Sequence, residues 1–181
     1  MLGVSTARPV SAQPADARPP TPRYAFGVAG LFGGTPGGAT SWGYLAIGGE
    51  GAIGVLQRGP WELRGRGFLA VGETLESDWS GSMSRLGAGA EGRVCSPRRI
   101  FCGFADLDVG YQSMTLHDDR GDLAREDRGL LYGTRLGLEL GSQVRFRAAL
   151  ELHRLRRSDQ PASGERSFRL NALAVAIAFE L

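Results

Sequence analysis

Large apolar residues and compact or charged ones alternate along this chain with a period of two. The last segment shows it most plainly. In Leu173-Ala174-Val175-Ala176-Ile177-Ala178-Phe179-Glu180-Leu181 every odd position is large and apolar, and every even position is small or charged. Successive side chains of a strand point to opposite faces, so this segment has one greasy and one compact face. The pattern returns upstream and predicts eight strands, at 23–33, 42–56, 61–73, 83–95, 101–115, 128–140, 143–155 and 167–181. The connections alternate in length. Those at 34–41, 74–82, 116–127 and 156–166 are long and polar; those at 57–60, 96–100 and 141–142 are short.

The two faces differ in kind. One carries Tyr24, Phe26, Val28 and Phe32, then Leu45, Ile47, Ile53 and Val55, then Trp61, Leu63, Leu69 and Val71. It continues through Leu86, Val94, Leu107, Val109, Tyr111, Leu130, Tyr132, Leu136, Leu138, Leu140, Val144, Phe146, Leu150 and Leu152 to the odd positions from Leu173 to Leu181. No charge falls on this face at the strand centres. The other face holds Glu50, Glu62, Arg64, Arg66, Arg85, Glu91, Arg93, Asp106, Asp108, Arg135, Glu139, Arg145, Arg147 and Glu151, seven acids against seven arginines. Small residues fill the gaps there, among them Gly48, Gly87, Gly89, Gly133, Gly137, Ala172, Ala174 and Ala176.

A buried charge costs several kcal/mol when alone, so a balanced set implies mutual pairing. The expected architecture is all-β: an eight-stranded antiparallel up-and-down barrel, with lipid outside and the charges inside. Each strand is long enough for a tilted strand to cross hydrocarbon, which takes about 9–11 residues. Eight strands enclose only enough space for side chains, so the interior is expected to be a plug. Alternation also fits a soluble calycin-like barrel that holds an apolar ligand, with the faces reversed. Three features favour the membrane: aromatics near strand ends (Tyr24, Trp61, Tyr111, Phe179), the alternating loop lengths, and a polar face rich in Gly and Ala.

Composition sharpens the picture in a few places. The length of 181 residues supports one domain, here 23–181, and the 42% apolar content is ordinary. The longest apolar runs fall far short of the roughly 20 residues of a membrane-spanning helix. A net charge of +2 makes no electrostatic case for nucleic acid. All 21 basic residues are arginine, whose planar fork suits internal ion pairs. Cys95 and Cys102 bracket a short Pro-containing turn, and a disulfide across that hairpin base is expected, which implies an oxidising compartment. Residues 1–22, rich in Ala, Pro, Ser and Arg, are expected to be disordered. Ala15-Asp16-Ala17 resembles a small-residue cleavage site, and a signal peptide lost or truncated at the start is the expected reading.

The topology, the alternation and the run Phe104-Ala105-Asp106-Leu107-Asp108-Val109-Gly110-Tyr111 together resemble the small eight-stranded outer-membrane barrels of the OmpA/OmpX-like superfamily. The resemblance covers about residues 23–181. The terminal strand, with Phe179 near its end, is similar to the recognition signal of the outer-membrane assembly machinery, although it closes on Leu181 where such strands end in an aromatic residue. The resemblance implies an outer-membrane location, membrane lipids and the assembly machinery as partners, a monomer, and no cofactor. It implies a non-enzymatic role in envelope structure or surface interaction, carried by the long loops.

Candidate chemistry is sparse. His117 with Asp118, Asp119 and Asp122 could form a divalent-cation site, and Arg120-Gly121-Asp122 spells an adhesion tripeptide; a solvated loop explains both. His153 could serve as the base of a membrane-embedded lipid-modifying enzyme, but no Ser lies two positions away, and a plug histidine paired to a carboxylate is the simpler reading. Asp106-Leu107-Asp108-Val109-Gly110 lacks the carboxylate that a calcium loop needs at its fifth position. The glycine-rich stretch 33–38 lacks the Gly-Lys-Ser/Thr ending of a phosphate loop. No catalytic, cofactor-binding or metal-ligating residue is assigned.

Overall fold

The computed structural model describes residues 23–34, 43–75, 80–117, 123–158 and 167–181. They form eight strands: β1 (Tyr24–Gly34), β2 (Gly43–Arg58), β3 (Trp61–Leu75), β4 (Ser80–Cys95), β5 (Phe101–His117), β6 (Leu123–Gly141), β7 (Val144–Arg157) and β8 (Ser167–Glu180). Each strand pairs antiparallel with the next, and β1 pairs with β8, from Ala25 opposite Glu180 to Gly34 opposite Asn171. The sheet is therefore a closed barrel without a free edge, the form in which every ladder hydrogen bond is satisfied inside lipid.

The short turns share one rim. Arg58 faces Trp61 across the two residues Gly59 and Pro60, and Gly59 takes φ 60°. A positive φ at the first loop position lets a two-residue hairpin follow the twist of its strands. The opposite rim carries the long connections. There the strands outrun the sequence expectation: β4 starts at Ser80, β5 runs to His117 and β6 starts at Leu123. His117, expected in a loop, is thus the last residue of β5. Contacts beyond the apolar belt hold these ends: Leu116 is buried, Asp127 pairs with Arg157 at 2.7 Å, and Ser82 Oγ lies 2.8 Å from Thr115 Oγ1. Residues 1–22, the Arg120-Gly121-Asp122 tripeptide and the glycine-rich positions 35–38 lie outside the described residues.

The faces fall as the alternation predicts. The large apolar set points outward, from Tyr24 through Leu107 and Leu136 to Leu181. At the short-turn rim Tyr24, Phe26, Trp61, Phe101, Phe146 and Phe179 make an aromatic girdle, with Phe26 and Phe179 stacked at 5.6 Å across the β1–β8 seam. Tyr111, expected at a strand end, sits within the longer β5. Thr134, a polar residue in the middle of the belt, donates its hydroxyl to the Asp106 carbonyl at 2.7 Å, so it presents no unmet donor to lipid.

Candidate functional site

Inward positions of β3 to β7 carry most of the interior charge, while the inward faces of β1 and β8 are mostly Gly and Ala, from Ala25 to Ala29 and from Ala172 to Ala178. That small-residue wall leaves the bore free for long side chains. All fourteen charged residues of the inward set are buried. They sort into three levels.

At mid-height Glu50 of β2 is a hub. Its Oε2 accepts from Arg66 at 3.0 Å and from Arg135 at 3.0 Å, and its Oε1 accepts from Arg147 at 2.6 Å. One carboxylate thereby ties β2 to β3, β6 and β7. Arg66 also reaches Asp108 at 3.1 Å, Arg135 reaches Asp106 at 2.8 Å, and Arg147 contacts Glu91. Two inward phenylalanines separate the guanidinium groups. Arg66 and Arg85 lie over the Phe68 ring at 4.9 and 5.5 Å, and Arg147 and Arg135 over Phe104 at 4.3 and 5.2 Å. Each ring needs its glycine. A Cβ on Gly87 would stand 2.5 Å from Phe68 Cζ, and one on Gly137 2.4 Å from Phe104 Cζ.

Nearer the short-turn rim, Arg64 joins Glu62 at 2.7 Å and Glu180 at 2.8 Å, Arg93 meets Glu139 at 3.1 Å, and Arg145 meets Glu139 at 2.6 Å. Cys95 and Cys102, direct partners in the β4–β5 ladder, form a disulfide that faces this level. Arg93 donates to both sulfurs, at 3.2 and 3.3 Å.

Toward the long-connection rim, Arg85 holds Glu151 through two bonds, of 2.7 and 3.1 Å, across the bore from β4 to β7. His153 lies 3.6 Å from Asp108 and 3.8 Å from Glu151, between two carboxylates. Above this level the interior turns largely apolar: Leu31, Tyr44, Met83, Met114, Leu131, Leu155 and Leu170 are buried together, with Thr74, Gln112 and Asp127 buried beside them.

No protein-family profile and no curated protein sequence matches the chain. Solved structures do. Neisserial surface protein A (NspA) superposes with a TM-score of 0.63 at 9% identity, covering 87% of this chain and 96% of that one. Ail, the attachment invasion locus protein of Yersinia pestis, gives 0.55 at 12% identity, with 88% and 97% covered. The N-terminal β-barrel domain of Pseudomonas aeruginosa OprF gives 0.51 at 12%, with 87% and 97% covered.

This chain has the fold of the small eight-stranded outer-membrane barrels. The apolar exterior is the surface that a barrel of this kind presents to lipid. A soluble barrel with an apolar lumen is the inverse arrangement: here the lumen holds the arginines and carboxylates.

The interior of this outer-membrane-type barrel contains groups that the sequence reading left out. Glu180 stands on the inward parity of β8 and meets Arg64, Arg93 and Arg145. Arg99, in the Cys95–Cys102 turn, reaches in to Glu62. Asp127 and Arg157 lie in segments read as loops. The apolar upper level also went unread, although its residues keep the same inward phase along their strands. No group of His, Cys, Asp and Glu that could hold a metal ion occurs among the described residues.

Proposed function

We propose that this protein is a non-enzymatic outer-membrane barrel that neither conducts nor catalyses, with its activity in the long connections as surface interaction or envelope structure. The observation that carries the reading is the double filling of the bore. An arginine–carboxylate network occupies the lower and middle levels, and an apolar layer lies above it. The space beside Glu50, bounded in part by Ala25, Ala52, Arg66, Arg147 and Ala178, amounts to about 10 Å³, room for no more than one water. The fold likeness to a Neisserial surface protein and to an attachment protein of Yersinia pestis supports a surface role. The lipid-modifying alternative finds no support at His153, which is buried inside the bore on the face away from lipid.

Two experiments test this reading. Purified protein from the outer-membrane fraction should shift its gel mobility on boiling, and in a planar bilayer it should add no stable current steps. Stable steps at the single-molecule level would overturn the closed-bore reading. Recovery in the soluble fraction with no heat shift would overturn the membrane reading itself.

A further inference from the structure

Outside the bore, the belt above Leu152 and Leu173 is not uniform. On β7 the outward position next toward the long-connection rim is Arg154; on β8 Asn171 comes first, opposite Leu152, and then Arg169, which faces Arg154 directly in the ladder, and both arginines are exposed. Tyr132 of β6 is the partner of Arg154 on its other side. One step further out comes Arg156, opposite Ser167 and also exposed. Among the described residues no carboxylate pairs with Arg154, Arg156 or Arg169. Across the barrel the corresponding outward positions hold Glu73, Ser82 and Thr115, so the positive charge is confined to one side.

Like charges directly opposite on a strand pair destabilise it unless an anion sits between them. Here the anion has to come from the membrane plane, because these side chains point sideways, away from the bore. Guanidinium forks suit phosphate oxygens, each able to make paired bonds. Below Arg154 lie Leu152 and Leu150 on β7, and below Arg169 come Asn171 and then Leu173 on β8, a surface for acyl chains.

We propose that the outward face of β7 and β8 seats the phosphate of an anionic glycolipid between Arg154 and Arg169, with its acyl chains along Leu152 and Leu173. The proposal rests on the membrane reading above, with the long connections on the outside of the cell, where the leaflet is built of phosphorylated glycolipid.

The test uses the full chain folded in phosphatidylcholine vesicles containing either diphosphoryl lipid A, its dephosphorylated form, or phosphatidylglycerol, and a double variant, Arg154→Gln with Arg169→Gln. Arg98→Gln, in the Cys95–Cys102 turn at the opposite rim, serves as control. Lipid A retained through detergent exchange should fall at least tenfold in the double variant and stay unchanged in the control. High salt should weaken retention by the wild type, and the dephosphorylated form should bind as poorly as in the double variant. In vesicles of phosphatidylcholine alone the double variant should unfold at the same temperature as wild type or higher, since it sheds the opposed charges. That result also proves that it folds. Equal retention by wild type and double variant would overturn the proposal, and so would equal retention of phosphatidylglycerol or binding of inorganic phosphate alone with the same affinity. Separate fractionation of cells reports the outer-membrane location, so a failure there is read independently of lipid retention.

Discussion

Glu50 shows how much one buried carboxylate can hold. Three guanidinium groups, from β3, β6 and β7, converge on its two oxygens. Removing one partner of a buried pair leaves uncompensated charge and costs about 3–5 kcal/mol. Glu50→Ala should therefore lower unfolding stability by at least that much, measured by urea titration in lipid vesicles. Glu50→Gln, which keeps the acceptor oxygen but not the charge, should fall between the two. A Glu50→Ala barrel as stable as wild type would show that the arginines re-pair with Glu91, Asp106 and Asp108 at no cost. The outward face makes the opposite demand. Leu136 is exposed at mid-belt, and Leu136→Arg would place a charge in hydrocarbon at a cost of about 2–4 kcal/mol. The fraction of that variant showing the heat-dependent gel shift after vesicle folding should drop well below wild type. Normal assembly would contradict the assignment of the faces. Both residues were legible from parity alone, because a strand has only two faces and these carry incompatible chemistries.

At the scale of the element, the β4–β5 hairpin is tied by a covalent bond as well as by its ladder. Its strands stay in register from Ser80 opposite His117 to Cys95 opposite Cys102, and the disulfide closes its turn. Closing so short a loop restricts the unfolded chain by about 2–3 kcal/mol. Cys95→Ser with Cys102→Ser should lose stability of that order, and the native protein should resist thiol labelling under reductant until it is unfolded, since both sulfurs are buried beneath Arg93. Ready labelling of the folded, reductant-treated barrel would mean that the short-turn rim opens. The sequence marked this hairpin through its cysteines and proline. It did not mark how far β5 and β6 run past the apolar belt, because nothing in the Leu116 to Asp127 stretch keeps the apolar alternation. Strand continuation there depends on contacts between distant segments, such as Asp127 with Arg157, which a single strand's periodicity does not contain. The same limit hid Glu180, whose partners Arg64, Arg93 and Arg145 lie on β3, β4 and β7.

Over the whole molecule, the proposed closed bore rests on two layers of different chemistry in series. The lower layer is ionic and depends on pairing across the lumen; the upper layer is apolar and depends on packing among Leu31, Met83, Met114, Leu131, Leu155 and Leu170. On that reading ion passage requires both to fail, because a wetted charge network still ends against a largely apolar layer in which buried polar groups, Thr74, Gln112 and Asp127, are few. Glu50→Ala alone should therefore remain electrically silent in a planar bilayer despite its lost stability. Leu131→Gly with Leu155→Gly should also be silent, since the Arg85–Glu151 pair still spans the lumen below. Adding both Glu50→Ala and Glu151→Ala to that double variant breaks the mid-height hub and the Arg85–Glu151 pair as well as the upper layer, and should produce small, stable current steps, provided the heat shift confirms a folded barrel. Channels from Glu50→Ala alone would show that the apolar layer does not seal, and the closed state would then rest on the arginines.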